Sequence, residues 1–155
     1  MRAQDLMTRH IATCHVNDAL SIAARMMWDH DCGAIPVVHD DGSLAGMITD
    51  RDICMAAYTQ GRPLDEILVN IAMAKHVVSA RPDQGLDEVE QLMAEHQVRR
   101  IPVIDGDNKP IGMISLKDVA LESFRPDATI RNGPSKIGHV LAAICKPRSS
   151  NRKAA

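Results

Sequence analysis

The run Ala34-Ile35-Pro36-Val37-Val38 leads, after a short polar turn, into Gly46-Met47-Ile48-Thr49-Asp50-Arg51-Asp52. Further along, Arg100-Ile101-Pro102-Val103-Ile104 leads into Gly112-Met113-Ile114-Ser115-Leu116-Lys117-Asp118. The two stretches stand at one fixed offset, residue 35 falling on residue 101. The same offset sets Met7 on Met73, His10 on His76, Leu20 on Leu86, Met27 on Met93, His30 on His96 and Asp41 on Asp107, with nothing inserted or deleted. Chance identity does not hold one register over about fifty residues, so the chain is a tandem repeat. Its copies are Ala3–Gly61 and Leu68–Phe124.

Each copy reads alike. A short extended segment, Ile11–Cys14 or Val77–Ala80, precedes polar Asn17-Asp18 or Pro82-Asp83, read as helix N-terminal signals. Helical spacing follows: Leu20, Ala23, Ala24 and Met27, then Leu86, Val89 and Met93. Two β-rich runs come next, Ile35–Val38 with Leu44–Ile48 and Ile101–Ile104 with Ile111–Ile114. Turns at Asp40-Asp41-Gly42-Ser43 and Asp105-Gly106-Asp107-Asn108 join them, with Asp-Gly expected to supply the positive φ of a tight hairpin. A second helix opens at Thr49 or Ser115. The order is β-α-β-β-α, twice, an α+β fold. One unit is too small to bury its sheet alone, so two packed about a pseudo-twofold axis should share a core. The break at Thr59–Pro63 is short and turn-like. Residues 134–145 read as an amphipathic helix, with Ile137, Val140, Leu141 and Ile144 on one face and Ser135 as cap. Residues 146–155 read as a basic, frayed tail carrying Lys146, Arg148, Arg152 and Lys153.

Composition narrows the function. The chain has 155 residues, 45% apolar and 25% charged, as in an ordinary soluble domain. Eighteen basic residues against 20 acidic ones give a net charge of −2, unlike a nucleic-acid binder. Trp28, Tyr58 and Phe124 are too few to stack bases. No apolar run reaches the roughly 20 residues of a membrane span, and no signal peptide is read at the start. Cys14, Cys32, Cys54 and Cys145 lie far apart, which points to reduced thiols in the cytoplasm. The histidines show no metal-ligand spacing, so no metal site is expected. No catalytic motif is present, and two equivalent sites suit ligand sensing better than turnover.

The Gly-Met-Ile-Thr/Ser-x-x-Asp stretch carries two readings that can hold together. Thr49 with Asp52, and Ser115 with Asp118, can form capping boxes. The same carboxylate, at a strand's carboxyl end beside a helix N-terminus, can also accept ribose hydroxyls while the helix end favours a phosphate.

These paired motifs, with Asp5-Leu6-Met7-Thr8 ahead of the first, resemble the cystathionine β-synthase (CBS) domain pair, or Bateman module. Met93–Arg100 and the tail helix are similar to those of stand-alone two-repeat members. The resemblance implies a disc-like module, often a homodimer, that regulates an unidentified partner protein by binding AMP, ADP, ATP, NAD or S-adenosylmethionine. It places the ribose on Asp52, Asp118, Thr49 and Ser115. Phosphate falls to Arg99, Arg100, Lys117 and Arg51. The base pocket is expected around Cys14, Ala34, Ile35, Pro36, Ala80, Ile101 and Pro102. Gly33-Ala34 in the first copy stands where Arg99-Arg100 stands in the second, so unequal clefts are expected, the Asp118 cleft holding phosphate more tightly. The alternative is a redox-responsive dimer or scaffold that binds no nucleotide, in which His15 lowers the pKa of Cys14 at a pocket edge.

Overall fold

The structure is a computed structural model and describes residues 1–123 and 134–146. Phe124 and the tail residues Arg148, Arg152 and Lys153 lie outside them. In chain order the elements are α1 (Ala3–Leu6), β1 (Cys14–His15), α2 (Leu20–Asp29), β2 (Ala34–Val38), β3 (Leu44–Thr49) and α3 (Asp50–Gln60). After a 3-10 turn at Leu64–Glu66 come α4 (Val69–Ala72), α5 (Leu86–His96), β4 (Arg100–Ile104), β5 (Pro110–Ser115), α6 (Leu116–Ser123) and α7 (Pro134–Cys145). Two β-α-β-β-α repeats are thus present. The first extended segment shrinks to Cys14–His15, paired in parallel with Val37 and Val38; in the second copy only Ala80 bridges, to Val103.

The β-β units are antiparallel and superimpose by register: Ile35 faces Ile48 as Ile101 faces Ile114, and Val37 faces Gly46 as Val103 faces Gly112. Their first strands, β2 and, after its exposed Arg100, β4, are buried throughout, whereas β3 and β5 are partly half-buried. The turns depart from the Asp-Gly reading in the second copy. Positive φ falls on Gly42 (83°) in the first turn and on Asn108 (60°), its counterpart, in the second. Asn tolerates the left-handed region better than other residues with a Cβ, so Gly106 is not needed there.

The two halves exchange their leading segments. Thr8 pairs with Met113 of the second half, and its counterpart Ala74 pairs with Met47 of the first. Each crossing also supplies a helix start: Leu20 N–H donates to Ile67 O at 2.8 Å, and Leu86 N–H to Met1 O at 3.2 Å. This corrects the expected N-terminal signals. The caps are Ala19 and Gly85, with no side-chain cap bond. Asp18 instead accepts from His15 N–H at 2.8 Å.

The core follows the exchange. One cluster joins Ala3 and Met7 to Leu86, Val89, Met93, Ile101 and Ile114. The other joins Ile67 and Val69 to Leu20, Ala23, Ile35 and Ile48. Each half therefore buries apolar surface borrowed from its twin, which a unit this small requires. Val140 and Ile144 of α7 complete the cluster of the second half. This helix opens at Pro134, so Ser135 lies in its first turn rather than ahead of it. At the break between repeats, α3 runs to Gln60 and ends on left-handed Gly61 (φ 61°).

Candidate functional site

Thr49 and Ser115 each end a strand and start a helix, and both form the reciprocal cap that the spacing suggests. Asp52 Oδ2 accepts from Thr49 N–H at 3.0 Å and from its hydroxyl at 2.7 Å. Asp118 Oδ2 accepts from Ser115 N–H at 2.8 Å and from its hydroxyl at 2.5 Å. The return bonds, from the Asp amide N–H to the hydroxyl oxygen, are 3.1 and 3.3 Å. Both carboxylates are half-buried. The cap uses Oδ2 alone, so among the described residues no hydrogen bond reaches Oδ1 of either Asp. A carboxylate fixed by its own helix, with one oxygen open, is oriented to receive a hydroxyl from outside.

Beside Asp118 lies a cavity of about 550 Å³, within the range of small-molecule sites. The first half contributes His10, Ile11, Ala12 and the run from His30 to Pro36. The second contributes Arg99, Arg100, Met113 and the run from Ser115 to Asp118. The wall is sorted chemically, with Ile11, Ala12, Ala34, Ile35, Pro36 and Met113 apolar. Arg99, Arg100 and Lys117 bring permanent cations, against the carboxylates of Asp31 and Asp118. Leu116 N–H donates to Arg99 O at 2.8 Å, which ties the arginine-bearing loop to the start of α6. Gly33 leaves room between charged groups: a Cβ there would stand 2.9 Å from Asp50 Oδ2 and 3.5 Å from Arg100 Nη2.

The structure thus gathers Asp118, Ser115, Arg99, Arg100, Lys117, Ala34, Ile35 and Pro36 in one place. Gly33-Ala34 shares a cavity with Arg99-Arg100, which corrects their assignment to separate clefts: the crossing at the pseudo-twofold brings both loops together. Thr49, Arg51 and Asp52 stand apart from this cavity, as the start of the other helix. Cys14, Ala80, Ile101 and Pro102 do not line it either. Cys14 and Ala80 form the inner parallel pairings and Ile101 the core, at 0%, 1% and 0% exposure.

The redox role of Cys14 is likewise overturned. Burial, and then the charge of Asp18, pushes its thiol up to about 12, so it is protonated and unreactive at neutral pH. His15 faces solvent, with Nδ1 3.7 Å from Asp40. His10, Ile11, Ala12 and the His30–Cys32 loop are lining residues that the sequence did not single out. The one local hint was the His10–His76 and His30–His96 correspondence.

A model of the CBS domain matches residues 3–58 and again 66–125. The chain belongs to the CBS domain family. This CBS pair is 42% identical over 121 residues to the CBS domain-containing protein YhcV of Bacillus subtilis (strain 168), covering 78% of this chain and 84% of that one. It is 31% identical over 146 residues to Hypoxic response protein 1 of Mycobacterium tuberculosis (strain H37Rv), covering 94% of each. The crystal structure of Hypoxic Response Protein I with two coordinated zinc ions superimposes with a TM-score of 0.71 at 30% identity, over 78% of this chain and 98% of the other. The CBS pair of protein MJ0100, solved with 5′-methylthioadenosine and S-adenosylmethionine, gives a TM-score of 0.70 at 25% identity, over 78% and 98%. Among the described residues no helix is long and apolar enough to cross a membrane.

Proposed function

We propose that this CBS pair is a non-catalytic regulatory module that senses a phosphorylated adenosine ligand, AMP, ADP or ATP, in the Asp118 cavity. The observation that carries the reading is the placement of the open Asp118 oxygen beside three cations and an apolar wall. A ribose needs the acceptor, an adenine the apolar wall, and a phosphate the guanidinium fork. The adenosine compounds bound by the MJ0100 pair support the nucleoside part. The cations of Arg99, Arg100 and Lys117 favour a phosphate over the sulfonium of S-adenosylmethionine, which carries like charge. Ligand spans both halves there, so it stabilises their union by mass action, about 2.7 kcal/mol at a hundredfold excess over Kd. The state of the cavity is then read by another protein. Four unpaired, dispersed cysteines suit a reducing cytoplasm.

A thermal-shift panel with AMP, ADP, ATP, NAD and S-adenosylmethionine tests the proposal, followed by calorimetry on Asp118→Ala and Asp52→Ala. The phosphorylated compounds should raise Tm most. Asp118→Ala should abolish most binding and Asp52→Ala should leave most of it. One charge-assisted bond of about 1.5–3 kcal/mol is tenfold or more in affinity. No shift with any adenosine compound at millimolar concentration defeats the proposal, and an equal or larger loss from Asp52→Ala moves the site.

A further inference from the structure

Both repeats place a residue in the left-handed region at the same point of the turn between helix and strand, Asp31 (φ 47°) and Gln97 (φ 52°). The two are put to different use. Asp31 lines the cavity. Gln97 is half-buried and reaches α7, its Nε2 donating to Ala143 O and Lys146 O, both at 3.1 Å. Both acceptors lie at the carboxyl end of α7, where a helix leaves carbonyl groups short of donors. Gln97 does not line the cavity, but Arg99, two residues on, and Arg100 do. The stretch between is held at several points. Val98 N–H donates to Met93 O at 3.1 Å, and Arg99 O accepts from Leu116 N–H at 2.8 Å. The Val98 side chain packs against the cluster that contains Val140 and Ile144 of α7. A second connection runs through α6. Its first residues, Leu116 to Asp118, line the cavity, and the next, Val119, is buried in that same cluster. Both pieces of the second half that face the cavity therefore lead, within a few residues, to α7.

We infer that α7 is the element through which this chain reports occupancy of the Asp118 cavity, with Gln97 as the tie between them. The inference rests on the proposed nucleotide site. Arg99 and Arg100 are exposed, and a phosphate held by them orders the loop from Gln97 to Arg100. Docked α7 orders the same loop from its other end, through Gln97. Whichever event comes first spares the second its ordering entropy, which is positive coupling without a change of shape. Linkage makes the effect reciprocal. The factor by which ligand suppresses undocking of α7 equals the factor by which undocking weakens the ligand, typically about 5–150-fold. Among the described residues the first half has no helix in the place of α7, so the report leaves through the second repeat alone.

Hydrogen–deuterium exchange of the full chain with and without saturating ATP, read beside calorimetry, tests it. ATP should slow the amides of α7 about fivefold or more beyond any change in α3, whose start stands apart from the cavity. Gln97→Ala should still bind ATP, but its α7 amides should exchange alike with and without it. Its affinity for ATP should fall by the factor seen in wild-type exchange, an effect that a merely structural contact outside the cavity would not have. Gln97→Asn, which suits the left-handed turn but shortens the reach, should behave the same way and serves if the alanine variant unfolds. Ile144→Ala loosens α7 by packing and keeps the tie, so ATP should still slow its α7. If calorimetry finds no ATP binding to the wild type, the site reading fails and this inference falls with it. ATP that binds without slowing α7 beyond α3, slowing that persists in both Gln97 variants, or an affinity unchanged in them overturns this inference alone.

Discussion

Gly46→Ala tests the exchange of segments that makes one fold of two repeats. Gly46 is buried in β3 where the crossing segment of the second repeat passes. A Cβ there would stand 2.7 Å from Ala74 O and 2.8 Å from Met73 Sδ. The carbonyl is backbone and cannot rotate away, so the crossing must retreat. That retreat strains the reciprocal pair Met47 N–H to Ala74 O (3.0 Å) and Ala74 N–H to Met47 O (2.8 Å). Overpacking costs about 1–3 kcal/mol and weakening two hydrogen bonds costs about 1 kcal/mol more. The smaller unfolded-state entropy of Ala returns about 0.4–1 kcal/mol. The net is a loss of about 2 kcal/mol. For a chain of this size it lowers Tm by roughly 4–8 °C. At the counterpart Gly112, a Cβ meets Met7 Sδ and stands 3.0 Å from Thr8 O. The flexible methionine yields more easily, so Gly112→Ala should cost less. Gly106→Ala, with nothing within 4 Å, should be neutral. Calorimetric melts of the three variants decide it. A Gly46→Ala protein melting within a degree of wild type, or the reverse ranking, refutes the close-approach argument.

Other consequences follow from single contacts. The Cys14 thiol, raised in the folded state to about 12 from 9.0, keeps its full contribution to stability below pH 9.0 and loses it as pH rises toward 12. Denaturant midpoints across that window should fall for wild type and flatten for Cys14→Ala. Thiol titration at pH 8 should find Cys54 and Cys145 reactive, being exposed, and Cys14 silent until the protein unfolds. Gln97 Nε2 donates to Ala143 O and Lys146 O, both at 3.1 Å, tying the carboxyl end of α7 to the loop before Arg99. Gln97→Ala should speed amide exchange in α7 severalfold while leaving α2 unchanged. Thr49→Ala removes the side-chain half of the α3 cap and should cost about 1 kcal/mol by chemical denaturation.

The register of the repeats was legible in the sequence because identical side chains were required at identical depths. Ile35 and Ile101, or Ile48 and Ile114, are buried in one geometry built twice, and β-β pairing and both capping boxes are local enough to follow from spacing. The carboxylates of Asp52 and Asp118 were likewise found by spacing, since a cap and its strand end are seven residues of one chain. What the tertiary structure alone decided was which pieces meet. Spacing says nothing of a segment that leaves its own repeat, so Met7 in the core of the second half and Ile67 in that of the first were not foreseen. Nor was the cavity that sets Gly33–Pro36 beside Arg99, Arg100 and Asp118. Cys14 shows the same limit: next to His15 in sequence, it points the other way on a strand, beside Val37 and fully buried, and burial rather than its neighbour governs the thiol.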